Sequence, residues 1–193
     1  MVSRIDKGIG TILRAINESG EWDNTIILFL SDNGGVPGME PYCVNHPLRG
    51  NKFDEWEGGV RTVAGIYWKK AFRQGNRKLE QVTGFVDVLP TLADIIGVKE
   101  APKNPYDGIS IFSVLTGEKE QIDRDMYLGC GAGVCGQYKL ILAGQHLGLK
   151  KDFITDIQQN PSEKREGRIY EDPERVIQLR QAVVEGDAIV PFQ

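Results

Sequence analysis

Three polar side chains are spaced so that they could act on one bound anion. Asp32 and Asn33 directly follow an apolar run that ends in Leu30-Ser31. A carboxylate and an amide oxygen side by side are hard-oxygen ligands, suited to Ca2+ and, as the alternative, Mg2+. Lys52 follows a glycine-containing loop and offers a compact positive charge for an oxyanion. Arg61 could serve the same anion, or it could brace Glu57 or another carboxylate. His46 is a candidate proton donor, or an ordinary loop histidine. The other histidine, His146, is expected to be structural or exposed. Each feature also has a plain reading. Asp-Asn-Gly is a common turn, and most lysines are simply solvated.

An α/β framework would position these groups. Val2, Ile5, Ile9, Ile12, Leu13 and Ile16 recur at three- and four-residue spacing, which predicts an amphipathic helix ending within 17–20. Residues 25–31 form a continuous β-rich run. Such a run suits a strand buried on both faces, as in a mainly parallel sheet flanked by helices. In open sheets of this kind ligands bind beyond the carboxyl ends of strands, where Asp32 and Asn33 stand. A second buried strand is expected at about 60–68, followed by a basic, exposed connection over 69–78. Residues 85–97 read as a strand end and then a helix, with Asp87 as its cap and Pro90 in its first turn. A short helix over 111–115 is closed by Gly117.

The pattern changes after about residue 120. Residues 126–128 and 138–142 read as a hairpin joined by a Gly/Cys segment. A charged, loop-like stretch opens at Asn160, and 174–185 is a final amphipathic helix. The expected layout is therefore a piece of α/β sheet over 1–120, followed by a small α+β subdomain with a short antiparallel sheet over 121–193.

Composition narrows the classes. The 193 residues suffice for one domain with a sizeable core. A net charge of −4 without a concentrated basic patch argues against a nucleic-acid partner. No apolar run approaches the roughly 20 residues that a membrane helix needs. Cys43, Cys130 and Cys135 do not make a disulfide framework, and the segment Gly129-Cys130-Gly131-Ala132-Gly133-Val134-Cys135-Gly136 lacks zinc spacing. The two later cysteines read as small residues flanking a hairpin.

Taken in order, five segments resemble the sulfatase family of the alkaline phosphatase superfamily. They are Ser31-Asp32-Asn33-Gly34-Gly35, Pro47-Leu48-Arg49-Gly50-Asn51-Lys52, Glu57-Gly58-Gly59-Val60-Arg61, Asp87 through Gly97, and Tyr106-Asp107-Gly108-Ile109-Ser110. Ile5-Asp6-Lys7-Gly8-Ile9-Gly10 and Asp23-Asn24-Thr25 resemble the helix and strand that precede the family's metal ligands. Asn160-Pro161-Ser162-Glu163 looks like a degraded form of its Asp-Pro-x-Glu segment. The resemblance is dense to about residue 117 and thin beyond it.

The resemblance implies an alkaline-phosphatase-like fold and hydrolysis of a sulfate monoester, aryl or carbohydrate. Asp32 and Asn33 match two ligands of the family's divalent cation, usually Ca2+, and Lys52 matches the lysine on the substrate's sulfate. It further implies a formylglycine, made from a Cys/Ser-x-Pro/Ala-x-Arg motif that is absent from this sequence. Cys43-Val44-Asn45-His46-Pro47 does not fit that motif, because Pro47 stands two positions too late. Met1 falls inside the family's domain, so the expectation is a C-terminal portion, with the nucleophile and further metal carboxylates in a missing N-terminal half. The expected partners are that half and a sulfated small molecule or glycan. The parent is expected to be exported, periplasmic or lysosomal, and the isolated chain inactive and poorly soluble. Two other readings stand beside this one: a non-catalytic anion- or glycan-binding remnant, and a phosphatase or phosphodiesterase of the same superfamily.

Overall fold

The computed structural model describes residues 1–39, 41–72, 75–100, 102–145, 147–164 and 173–188. His146 and most of the charged stretch beyond Asn160 lie outside the described residues.

The first helix, α1 (Val2–Glu18), forms where the apolar spacing predicts it, and Ser19 caps its end. It has no buried residue: Val2, Ile5 and Ile12 are all exposed. Strand β1 (Ile27–Leu30) falls within the β-rich run. Its expected burial on both faces is not met within this chain, since Phe29 is 50% exposed. The expected parallel neighbour is not met either. Among the described residues β1 pairs antiparallel with β2 (Ala64–Tyr67), with Ile27 opposite Tyr67 and Leu30 opposite Ala64. The second strand is shorter than expected because α2 (Glu57–Val60), a single helical turn, takes up the start of that segment.

Helix α3 (Val88–Ile95) follows a 3-10 turn, Phe85–Asp87. Asp87 occupies the N-cap position of α3 as expected, but its side chain makes no cap hydrogen bond to the helix. Its buried carboxylate instead accepts the Gly84 N–H, the Thr83 hydroxyl and the Ile109 N–H, and pairs with Arg124. Burial pushes this carboxyl up in pKa, but Arg124 and the two backbone donors outweigh it and hold Asp87 below the usual carboxylate range. The short helix α4 (Phe112–Thr116) ends at Gly117 in the left-handed conformation, as the sequence implies.

The C-terminal subdomain is a four-stranded antiparallel sheet in the order β3-β4-β5-β6. The strands are β3 (Asp125–Gly129), β4 (Ala132–Cys135), β5 (Tyr138–Ile141) and β6 (Phe153–Asp156). Helix α5 (Pro173–Asp187) lies across β3, β4 and β5. Residues Ala132–Cys135 of the Gly/Cys segment are thus a fully buried central strand rather than part of a hairpin link. Its glycine has a packing role: a Cβ on Gly133 would sit 2.5 Å from Val183 Cγ2 on α5. Cys135, Leu140, Leu142, Leu179 and Val183 form one core cluster, and Trp56, Ala132, Ile141 and Phe153 form another. Burial first, and Asp125 second, push the Cys135 thiol up to about 12, so it behaves as a packing residue, whereas Cys130 sits exposed in the turn. Among the described residues no helix is long and apolar enough to cross a membrane.

Candidate functional site

Three backbone segments meet beyond the end of β1, and glycine is what lets them meet. The Gly34 N–H donates to Gly59 O at 2.9 Å, and the Gly58 N–H donates to Arg49 O at 2.6 Å. A Cβ on Gly34 would lie 1.8 Å from Gly58 O; one on Gly59 would lie 2.1 Å from Asp54 O. No side chain fits in such gaps. The Ser-Asp-Asn-Gly-Gly turn, the Arg-Gly-Asn-Lys loop and the Glu-Gly-Gly turn are therefore locked to one another through main chain.

Asn45 fastens the cluster from the side. Its Oδ1 accepts the Gly35 N–H at 2.8 Å, while its Nδ2 donates to Gly50 O at 3.1 Å and to Asn51 Oδ1 at 3.2 Å. Asp54 closes the next turn by accepting the Asn51 N–H at 2.9 Å. Nothing in the sequence marked Asn45. An amide next to a candidate histidine drew no notice, although loops of this length need internal hydrogen-bond partners.

The residues singled out from sequence divide into two groups. Asp32, Asn33 and Lys52 lie on loops the structure brings together: the Lys52 N–H donates to Gly35 O at 2.9 Å, two residues past Asn33. Asn33 Nδ2 donates to Gly34 O at 2.9 Å, and no described residue donates to its Oδ1. Among the described residues the Asp32 carboxylate has no hydrogen-bond or ion-pair partner. The Lys52 ammonium has no carboxylate partner there either and lies 5.5 Å from the Phe53 ring centroid. His46 is exposed on the same loop.

Arg61 falls in the second group. Its Nε binds Glu57 Oε2, and its Nη2 reaches Ile157 O at 3.5 Å. Of the two roles open to it, the structure shows the brace. Arg49 is likewise committed: its guanidinium stacks 3.6 Å from the Trp56 ring centroid and donates to Glu163 O at 3.3 Å.

Behind the loops lies a buried charge cluster. Lys139 on β5 is fully buried and pairs with Glu57 Oε1 at 2.9 Å and with Glu163 Oε1 at 3.1 Å. Glu163 also accepts the Glu57 backbone N–H. Burial raises the Glu163 pKa above the usual carboxylate range, against the pull of Lys139 and the Glu57 N–H. Sequence reasoning missed Lys139. The signal was present, because a lysine inside Tyr138-Lys139-Leu140-Ile141-Leu142 stands where a core strand needs its charge answered.

Asp32 and Asn33 fit a hard divalent cation by donor chemistry, their side-chain oxygens having no donor among the described residues. Two residues supply only a fraction of the six to eight oxygens that Ca2+ takes. Among the described residues no group of three or more His, Cys, Asp or Glu side chains could hold a metal ion.

The family model described as Sulfatase matches residues 1–98. Mouse steryl-sulfatase is 30% identical over 130 residues, which are 64% of this chain and 21% of that protein. The crystal structure of the PsFucS1 sulfatase from a Pseudoalteromonas species superposes with a TM-score of 0.76 at 22% identity, covering 98% of this chain and 43% of that one. A protein solved in complex with its substrate D-glucosamine-2-N,6-O-disulfate superposes with a TM-score of 0.66 at 21% identity, over 96% of this chain and 38% of that one. These likenesses show the expected alkaline-phosphatase-like α/β fold. The chain spans about a fifth of the mouse protein's length.

Proposed function

This chain belongs to the sulfatase family, and from that premise we propose that it supplies the later part of a site hydrolysing a sulfate monoester to an alcohol and sulfate. Asp32 and Asn33 bind a divalent cation, Ca2+ in the first place, and Lys52 contacts the sulfuryl oxygens. The observation that carries this reading is the glycine-locked junction, with the Lys52 N–H on Gly35 O, that joins the two loops bearing these side chains.

The physical logic is charge placement. Attack on a sulfate ester spreads negative charge over the sulfuryl oxygens. A fixed ammonium stabilises that charge best when it is held in place beforehand and kept from bulk water. The cation, when bound, neutralises charge on the same oxygens. Formylglycine, in residues beyond this chain, supplies the nucleophile. Arg61 braces Glu57 rather than touching the substrate. His46 is exposed at the loop surface and serves as a proton donor to the leaving oxygen. The substrate class is a sulfated small molecule or glycan.

The test is titration of the 15N-labelled chain with calcium chloride and sodium sulfate, read as amide shifts at Gly34, Gly35 and Lys52. Saturable shifts are expected, with the sulfate response at least roughly tenfold weaker in Lys52→Ala and the calcium response lost in Asp32→Ala. Equal sulfate responses in wild type and Lys52→Ala would overturn the lysine's role. The chain alone should not turn over an aryl sulfate, and measurable turnover would refute the proposed division of labour.

A further inference from the structure

The C-terminal part of the chain touches the site loops at several points, Lys139 on Glu57, Ile157 O on Arg61 and Phe153 against Trp56 among them, and Glu163 grips their main chain. Glu163 is fully buried, and its backbone φ of 49° is left-handed without being glycine. That conformation costs about 1–2 kcal/mol in an L-residue, so the surrounding contacts must hold it there. Three contacts do so. Glu163 Oε2 accepts the Glu57 N–H, Oε1 lies 3.1 Å from Lys139 Nζ, and the main-chain carbonyl accepts from Arg49 Nη1 at 3.3 Å.

Glu163 grips α2 at the main chain of its first residue, Glu57, whose side chain is held by Lys139 and Arg61. Gly58 and Gly59 are buried and carry no side chain, so contacts to the middle of this turn can be made only through its main chain. From Glu57 the path to the site runs through main chain: Gly58 N–H to Arg49 O, Gly34 N–H to Gly59 O, and Lys52 N–H to Gly35 O. We propose that Glu163 is a positioning residue: by holding the Glu57 N–H and the Arg49 guanidinium, it sets the placement of the Asp32–Asn33 loop against the Lys52 loop. The inference rests on reading those loops as an oxyanion site. It makes the subdomain part of that site's construction rather than an appendage.

Two substitutions separate this role from plain ion pairing with Lys139. Glu163→Gln keeps an acceptor for the Glu57 N–H but surrenders the charge facing Lys139. Glu163→Asp keeps the charge but withdraws the acceptor by one methylene. Amide hydrogen exchange of the full chain, followed by NMR, is the readout. Glu163→Asp should speed exchange at the Gly34 and Lys52 amides by roughly tenfold, with the β4–β6 amides unchanged, and Glu163→Gln should leave Gly34 and Lys52 near wild type. The inference is overturned if Gln loosens these two amides while Asp does not, if neither variant moves them, or if the sheet amides loosen equally. A sulfate titration of the wild type is scored separately. Its failure would remove the oxyanion reading, whereas the exchange data alone decide whether Glu163 fixes the loops.

Discussion

The two halves of this molecule handle apolar surface in opposite ways. Beyond residue 120, Leu140, Leu179 and Val183 are each at most 2% exposed and cluster between the sheet and α5, while Ile141 clusters with Trp56 of the first half. Before it, Val2 is 79% exposed and Ile12 is 60% exposed, although their spacing is that of a helix built to be covered. One half buries most of its apolar side chains; the other leaves the apolar face of α1 largely uncovered by the described residues. Local sequence pattern therefore builds the elements of both halves, while packing is completed in only one.

The largest break in this contrast should come from the closed half. Leu179→Ala would open a cavity between α5 and the sheet, at a cost of about 2–5 kcal/mol. Urea unfolding followed by far-UV circular dichroism measures it, and a loss below about 1 kcal/mol would mean that the subdomain core is not as closed as described. Acidification should act at the seam between the halves. Asp87 titrates below its ordinary value when folded, so its contribution is present above a pH of about 4 and is lost as pH falls through the depressed value. The difference in unfolding midpoint between wild type and Asp87→Asn should therefore shrink toward low pH, and a difference that grew would contradict the Arg124 clamp. The smallest effect is expected in the open half. Ile5→Ser should change the stability of this chain by no more than about 0.5 kcal/mol, because nothing covers Ile5 here. A larger loss would show that α1 is covered after all, for instance by self-association.

These contrasts mark where the sequence could be read and where it could not. Helix α1 was legible because a 3.6-residue period survives whether or not a partner is present, and α4 because Gly117 stops it. The burial of β1 was misread because an apolar run reports what a strand is made for, not what this chain provides. Strand β4 was missed because the glycines in and around it look like a turn, yet Gly133 is there to admit Val183. At the site, Asp32, Asn33 and Lys52 stood out by type and spacing. The partners of Glu163, Lys139 and Asn45 lie on other segments, so even where a local pattern marks the residue, as for Lys139 in its apolar strand, it does not show what the residue holds. Arg61 was ambiguous in sequence because a guanidinium serves an anion or a carboxylate equally well. Its neighbour Glu57, four residues earlier on the same turn, is the partner it takes.

The side-chain amide of Asn45 gives the loop after β1 a fixed foot. With its oxygen on Gly35 and its nitrogen on Gly50, it clasps the two ends of the excursion, much as a knot ties off a bight of rope. Residues between Gly35 and Asn45 can then be lengthened, shortened or recomposed without tugging on the main chain at either end. Variation that reshapes what the loop's tip meets is thereby uncoupled from the geometry at its base, so new recognition can be tried at little risk to the residues beneath it.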